Sequence, residues 1–306
     1  MKKTTQMRRL IEAPEILVAP GAYDCFSAKL IESMGFKALA ITGAGLSESF
    51  LGLPDFGILG LSDNVMISRN IARAVNVPVM ADADTGYGNA VNVHHTVRMF
   101  EEAGITGINL EDQVTPKRCG HLKGKEIIPL EEMVKKIEAA VAARKDPDFI
   151  INARTDAAAI AGIDEAIRRA KAYRKAGADM VFPDAVLSEE DIAKFVGSVS
   201  APVSINMGLA IRKRPTTPLV SIKRLEELGV ARVTFPRMST AAALAGMKKA
   251  LEVILESMAQ GKIIERPDLC LSFEELSTLM GFPQMKALEE RFLTEETLAG
   301  KYGRGR

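Results

Sequence analysis

Residues 102–112 read EAGITGINLED, and this stretch shows the unit from which most of the chain is built. A helical segment ends at Gly104, an apolar run follows from Ile108 to Leu110, and acidic residues come directly after it. Glycine suits the left-handed position that closes a helix, and a nearly continuous apolar run is typical of a parallel strand buried on both faces. The stretch therefore predicts a helix, a strand and a polar site at the carboxyl end of that strand.

The same unit recurs along the chain, with amphipathic segments of helical spacing between the apolar runs. The predicted strands are 16–20, 37–42, 77–82, 108–111, 148–154, 180–184, 201–206 and 232–236. Eight strand–helix units over about 250 residues predict a (β/α)8 barrel, the TIM-barrel class of α/β fold. A doubly wound open sheet is the alternative, but no complete dinucleotide-binding loop accompanies the runs. Residues 263–306 contain helical patches without a strand, which predicts a barrel domain over 1–262 followed by a C-terminal helical extension.

Composition and charge exclude several classes of protein. The 306 residues are 47% hydrophobic and 26% charged, an ordinary globular composition. Lys and Arg number 40 against 39 Asp and Glu, so the charge gives no reason to expect nucleic acid or an anionic membrane as a partner. No apolar run approaches the roughly 20 residues that span a bilayer. Three widely spaced cysteines, and a first segment without the apolar core of a signal peptide, favour a cytoplasmic protein.

Polar side chains follow the predicted strands, and in a barrel the loops at these carboxyl ends form the active site. Asp82 and Asp84 are two residues apart, which predicts that they share one side of an extended segment, and Glu111 ends the next strand. Oxygen ligands without a His or Cys cluster favour Mg²⁺ or Mn²⁺ over zinc. The residues leave open the alternative that these carboxylates pair with Arg154 or Lys117 in a structural ion network.

The loop after the fourth strand carries a cysteine among basic residues. It reads KRCGH from Lys117 to His121, so that Cys119 has Arg118 and Gly120 as its direct neighbours. Nearby positive charge lowers the pKa of a thiol, so we expect these cations to favour the thiolate and to make the sulfur available for proton transfer. Gly120, with a second glycine four residues further on, suits a loop that closes over a substrate.

Four further motifs accompany the cysteine loop: LGLPD at 51–55, DADTG at 82–86, EDQ at 111–113 and ARTD at 153–156. Together these motifs resemble those of the isocitrate lyase/phosphoenolpyruvate mutase superfamily, and the resemblance runs from about residue 12 to 260. Within it, the chain is most similar to short-chain lyases of the 2-methylisocitrate lyase and 2,3-dimethylmalate lyase type. The resemblance implies a homotetramer, built as a dimer of dimers, in which the last barrel helix is exchanged between subunits.

The resemblance also implies roles for individual residues. It places Cys119, as general acid, in a catalytic group with three other residues: Lys117, His121 and Arg154. It implies that Mg²⁺ or Mn²⁺ is held by three carboxylates: Asp82, Asp84 and Glu111. It implies contact with a small carboxylate substrate at eight positions: Thr42, Gly43, Ala44, Asp55, Gly120, Asp184, Asn206 and Arg237.

The implied reaction is metal-dependent cleavage of a C–C bond in a 2-hydroxy di- or tricarboxylate of the 2-methylisocitrate type. The products would be pyruvate or glyoxylate and a dicarboxylate such as succinate, with Cys119 protonating the carbanion carbon. The alternatives are cleavage of 2,3-dimethylmalate, hydrolysis or decarboxylation of oxaloacetate, and a non-catalytic barrel that binds 2-oxo acids.

Three features depart from the pattern of the family, and they leave the physiological substrate open. Asp184 stands where the family commonly has Glu, and Ala241 stands where methylisocitrate lyases have Arg. The loop after Asn206 reads MGLAIRKRP, which is longer and more basic than usual. The residues also leave open which base starts the reaction and which metal is used in the cell.

Overall fold

Eight parallel strands form a barrel in the computed structural model, which describes residues 1–214 and 216–303. The strands are β1 (Leu17–Ala22), β2 (Leu39–Ile41), β3 (Val79–Asp82), β4 (Gly107–Glu111), β5 (Ile150–Thr155), β6 (Met180–Pro183), β7 (Ser204–Asn206) and β8 (Arg232–Phe235). Their order is β6-β5-β4-β3-β2-β1-β8-β7, and a parallel bridge between Val181 and Val203 joins the two ends. Each strand thus lies beside its neighbour in sequence, whereas a doubly wound sheet reverses its order. The predicted barrel is confirmed, and the open sheet is excluded.

Helices occupy the segments between the strands and continue after the last one. Their bounds in the described residues are Lys3–Glu12, Cys25–Ser33, Gly43–Leu46, a π-helical turn at Ser47–Leu51, Leu61–Ala74, Ala90–Glu102, Leu130–Ala143, Ala157–Ala161, Ile163–Lys175, Glu189–Ser198, Ile222–Glu227, Met238–Gln260, Phe273–Met280, Phe282–Phe292 and Glu295–Tyr302. Within the described ranges, none of these helices is both long enough and apolar enough to cross a membrane.

Burial explains why the apolar runs become strands. All six residues of β5 are buried, because one face of the strand packs into the barrel and the other packs under the surrounding helices. The register then decides which polar side chains meet at the strand ends. Glu111 pairs with Arg154 across β4 and β5, and Asp82 pairs with Asn109 across β3 and β4. Neighbouring strands therefore deliver carboxylates and a guanidinium to one rim of the barrel.

The chain divides into two compact units, Met1–Ala242 and Ala243–Arg306. In the described part of the second unit, the helical patches predicted after residue 263 form helices and no strand. The helices Phe273–Met280 and Phe282–Phe292 contain no buried residue, and most of their large apolar side chains are exposed. The division falls inside the helix Met238–Gln260, and the domain boundary after residue 262 stays a prediction.

Candidate active site

A polar cavity lies at the carboxyl ends of the strands, and most of the predicted site residues line it. Its free volume is about 40 Å³, which is room for more than one water molecule. The lining residues are Thr42, Ala44, Asp55, Asp82, Cys119, Gly120, His121, Arg154, Asp184, Asn206, Arg214, Pro236 and Arg237. The other predicted residues contact members of this lining: Gly43, Asp84, Glu111 and Lys117.

Asp82 and Asp84, two of the carboxylates predicted to bind metal, lie close together because of a backbone turn that the sequence analysis did not predict. Asp82 ends β3, and Asp84 follows in a turn with a left-handed φ of 47°. The prediction that both share one side of an extended segment is therefore wrong. Aspartate tolerates the left-handed conformation because its side chain is short and polar. In this turn the backbone N–H of Asp84 lies 3.4 Å from Asp82 Oδ1.

Lys117 lies between two carboxylates beside this turn. Its Nζ is 2.7 Å from Asp55 Oδ1 and 2.9 Å from Asp84 Oδ1. Burial lowers the pKa of Lys117, but the surrounding carboxylates raise it well above its ordinary value. The pKa of Asp84 is raised to about 6, mainly by burial. Lys117 lowers this pKa, whereas the neighbouring carboxylates of Asp82 and Asp55 raise it further. Lys117 therefore stays charged, and the ion network left open by the sequence is present on this side.

Arg154 is the cation at the centre of a second buried network. Its Nε lies 3.1 Å from Glu111 Oε2 and 2.9 Å from Asp156 Oδ2, and its Nη2 lies 2.8 Å from Asp184 Oδ2. Asn206 Nδ2 donates to the other oxygen of Asp184 at 3.1 Å. Although burial by itself raises the pKa of Asp184, Arg154 holds it well below its usual range. This carboxylate is therefore ionised and held in place from two sides.

The environment of Cys119 differs from the one expected from its basic neighbours. Burial raises the pKa of the thiol, so the expected thiolate is wrong. The flanking cations turn elsewhere, since Lys117 faces carboxylates and the Arg118 guanidinium lies 5.4 Å from the centre of the Phe56 ring. Burial also lowers the pKa of His121, to about 4, so this imidazole is neutral near pH 7. A thiol that keeps its proton suits a proton donor better than a nucleophile.

The cysteine loop packs tightly onto the Arg154 network. An added Cβ at Gly120 would overlap Asp184 Oδ2, so only glycine lets the loop come this close. Lys125 then fastens the loop, because its Nζ donates to the Gly120 carbonyl and to Asp156 Oδ1, the latter at 2.9 Å. Sequence reasoning gave Lys125 no role, since nothing local shows that its side chain turns back toward the strand ends.

Arg214 is a residue of the cavity lining that sequence reasoning missed. The unusually basic loop after Asn206 was the available signal, but it contains three consecutive basic residues. Arg212 and Lys213 are exposed, whereas Arg214 lines the cavity and donates to Asn206 Oδ1 at 3.2 Å. Only the path of the folded loop decides which of the three faces inward.

His121 makes the stability of the protein depend on pH in a way that a variant can isolate. Its pKa of about 4 lies below the ordinary 6.5, so between these values the unfolded chain takes up a proton that the folded chain rejects. This contribution to stability is complete above pH 6.5 and is lost progressively as the pH falls from 6.5 to about 4. His121→Asn keeps a polar atom toward Thr216 Oγ1, which lies 2.6 Å from His121 Nδ1.

We therefore expect the free energy of unfolding of the wild type to fall by about 3 kcal/mol more than that of His121→Asn between pH 7 and 4. Urea unfolding at several pH values in that interval measures the difference, and other titrating groups cancel because both proteins share them. Parallel pH profiles for the two proteins would contradict the prediction.

The buried carboxylates fit a divalent cation, although they do not close around one. Among residues 1–214 and 216–303, no three His, Cys, Asp or Glu side chains have the spacing of a formed metal site. Yet both carboxylate oxygens of Glu111 and Oδ1 of Asp84 are buried and accept no well-directed hydrogen bond. Burial raises the pKa of both carboxyl groups, because loss of water disfavours the charged form, and a bound cation would favour that form again. Mg²⁺ takes one or two carboxylates directly and keeps several waters, so Asp82, Asp84 and Glu111 need not converge further.

Known proteins match nearly the whole chain. The phosphoenolpyruvate phosphomutase family matches residues 7–255. The 2,3-dimethylmalate lyase of Eubacterium barkeri is 41% identical over 294 residues, which cover 96% of this chain and 99% of that enzyme. The 2-methylisocitrate lyase of Aeropyrum pernix is 44% identical over 260 residues, which cover 85% of this chain and 82% of that enzyme.

Solved structures agree with these matches. A crystal structure of 2,3-dimethylmalate lyase, a PEP mutase/isocitrate lyase superfamily member, has a TM-score of 0.88 and 31% identity and covers 100% of this chain and 99% of its own. Phosphonopyruvate hydrolase in complex with oxalate and Mg²⁺ has a TM-score of 0.85 and 33% identity and covers 96% of this chain and 100% of its own. Family, relatives and fold thus coincide, and the chain belongs to the phosphoenolpyruvate mutase/isocitrate lyase superfamily.

Proposed function

We propose that this chain is a Mg²⁺- or Mn²⁺-dependent C–C lyase that cleaves a 2-hydroxy di- or tricarboxylate. From a tricarboxylate the products would be a 2-oxo acid, pyruvate or glyoxylate, and a dicarboxylate such as succinate. From a dicarboxylate they would be a 2-oxo acid and a monocarboxylate. The observation that carries the proposal is a buried Cys119 in the same cavity as Asp82 and Arg154, and this burial raises the pKa of the thiol. The relatives named as lyases of 2,3-dimethylmalate and 2-methylisocitrate support this reaction class.

The metal ligands and the backbone N–H groups of the cavity would each bind a part of the substrate. Asp82, Asp84 and Glu111 would hold the divalent cation, which when bound supplies positive charge to the 2-hydroxy acid end of the substrate. Gly43 and Ala44 form the first turn of a helix, where backbone N–H groups have no partner within the helix and can donate to a substrate carboxylate. These contacts would orient the bond that breaks.

Cys119 would complete the cleavage. Once a base has taken the proton of the hydroxyl group, the bond between C2 and C3 breaks, C2 becomes a carbonyl carbon, and the electron pair of the bond remains on C3. The Sγ–H of Cys119 then gives its proton to C3 and becomes a thiolate. Arg237 Nη1 lies 3.9 Å from this sulfur and would stabilise the charge left there.

The closed loop explains why the proton would come from Cys119 rather than from solvent. Gly120 lies against Asp184, and Lys125 fastens the loop to Asp156, and the cavity that the loop helps to line has a free volume of only about 40 Å³. Excluding water also strengthens the electrostatic contacts made to the substrate. The loop must therefore open for the substrate to enter and for the products to leave.

Activity in the presence and absence of metal tests the proposal. We expect purified protein with Mg²⁺ to release a 2-oxo acid from 2-methylisocitrate or 2,3-dimethylmalate. A coupled assay with lactate dehydrogenase would measure this release. EDTA should abolish this release, and added Mg²⁺ should restore it, because the carboxylates by themselves cannot supply positive charge. Activity that is unchanged in EDTA would contradict the proposed metal dependence. Release of oxalate from oxaloacetate, without release of a 2-oxo acid from the other two substrates, would identify a hydrolase.

We also propose a cytoplasmic homotetramer, built as a dimer of dimers, that exchanges the last barrel helix between subunits. The resemblance to the family supports this assembly, and so do the exposed apolar residues of the second unit. Phe273 and Phe292 are exposed in the helices Phe273–Met280 and Phe282–Phe292, which bury no residue in a single chain. The three cysteines are free, which supports a reducing compartment.

A further inference from the structure

Arg214 is a cation without an anionic partner at the edge of the cavity. Its Nη2 donates to the neutral Asn206 Oδ1 at 3.2 Å, and its Nε is buried without a hydrogen-bond partner. None of the carboxylates in the described residues lies within ion-pair distance of it. Arg154, in contrast, contacts three carboxylates. The guanidinium of Arg214 is therefore free to bind an anion from a ligand.

The loop holds this guanidinium in place rather than leaving it in solvent. An added Cβ at Gly208 would overlap the guanidinium of Arg214, so the guanidinium lies directly against the backbone of this glycine. Gly208 has a left-handed φ of 57°, and its N–H donates to Asn206 Oδ1 at 2.7 Å. Both Gly208 and Arg214 thus converge on Asn206 Oδ1, which fixes the direction of the arginine. A side chain fixed in this way loses little conformational entropy when it binds a ligand.

Two other polar side chains, His121 and Arg237, line the same cavity. Nε2 of His121 is buried and has no partner, while Nδ1 of this ring is engaged with Thr216. Arg237 pairs with Glu48 through Nη2, and its Nη1 faces the sulfur of Cys119. Asp82, which is one of the carboxylates that fit a metal, thus lines the same cavity as these nitrogen-bearing side chains.

We propose that Arg214 recognises the second carboxylate of the substrate, the one attached to the carbon that Cys119 protonates. This inference rests on the proposed lyase function. A carboxylate can accept two parallel hydrogen bonds from one guanidinium, and it would neutralise a partly buried charge that has no carboxylate of the described residues within ion-pair distance. His121 and Arg237 complete the subsite. The substrate is then at least a dicarboxylate, and a 2-hydroxy acid without the second carboxylate is a poor substrate.

Binding of simple acids tests this subsite separately from catalysis. Succinate carries the carboxylates of the product released after protonation, and oxalate represents the 2-oxo acid end. Calorimetric titration of the Mg²⁺-loaded protein with each acid would compare the wild type with Arg214→Met and Arg212→Met. Arg212 is the matched control, because it is a basic residue of the same loop but is exposed.

We expect Arg214→Met to weaken succinate binding by about 10- to 100-fold, the effect of losing a charged hydrogen-bond pair, and to leave oxalate binding unchanged. Arg212→Met should change neither. Arg214→Lys should recover part of the loss, because it keeps the charge but not the planar fork.

Each outcome decides the inference. Equal succinate affinity in Arg214→Met and wild type, or no succinate binding by the wild type, would overturn it. A parallel loss of oxalate binding in Arg214→Met would also overturn it, because the arginine would then support the whole cavity instead of one subsite. If the wild type binds succinate through Arg214 but releases no 2-oxo acid from any substrate, the lyase proposal fails while the subsite stands.

Discussion

Replacing Cys119 with serine is expected to lower kcat by about 10²- to 10⁴-fold, the range by which a positioned general acid accelerates a reaction. The thiol is buried in the cavity and keeps its proton at neutral pH, so it can give that proton to a carbanion. A serine hydroxyl has nearly the same shape but is a far weaker acid. We therefore expect KM to change much less than kcat, because the contacts that bind the substrate remain.

Steady-state and single-turnover measurements of 2-oxo acid release would test this expectation, with folding checked by circular dichroism. Cys270→Ser is the control, since that cysteine is exposed in the second unit. An active Cys119→Ser variant with kcat near the wild-type value would remove the cysteine from the mechanism. A large rise in KM at constant kcat would show instead that the residue only binds substrate.

Replacing Arg154 with methionine is expected to lower the free energy of unfolding by about 3–5 kcal/mol, the cost of leaving buried charges without their partner. Glu111, Asp156 and Asp184 each lie within 3.1 Å of this guanidinium. Burial raises the pKa of Arg154's partner Glu111 well above its ordinary value even with the arginine present. Without the cation, these carboxylates must take up protons or admit water, and both changes destabilise the closed site.

Urea unfolding at pH 7 would measure this loss. Arg224→Met serves as the control, because Arg224 pairs with Glu189 on the surface, where single substitutions usually change stability by less than about 0.5 kcal/mol. A loss in Arg154→Met no larger than in the control would show that the buried network contributes nothing to stability. Activity should also fall in Arg154→Met, since Asp184 and the cysteine loop depend on the same guanidinium.

Local patterns were sufficient for the barrel and for most of the site. Each apolar run of the repeated unit became a strand, because a stretch that is apolar on both faces is stable only between the barrel interior and a layer of helices. In a parallel barrel all carboxyl ends meet at one rim, so naming the residues after each run also named most of the cavity lining. Asp82, Arg154 and Asp184 were placed in this way.

Protonation states and side-chain directions were not predictable from neighbours in the chain. Cys119 is flanked by cations in sequence, but the side chains of these cations contact residues that are distant in the chain. Burial therefore dominates and raises the pKa of the thiol. Arg232 is a clearer case, since it belongs to a predicted strand but points into the barrel and donates to Ser204 and Asn109. Burial lowers its pKa to about 10.

The amino-acid order alone determined the number of strands, their parallel arrangement and the types of residue that reach the catalytic rim, because periodicity and glycine position act over a few residues. Tertiary structure alone decided that Lys117 faces carboxylates, that Lys125 fastens the loop, and that Arg214 rather than Arg212 enters the cavity. Those outcomes depend on burial and on charges contributed by distant strands. Such long-range electrostatics exists only once the barrel has closed.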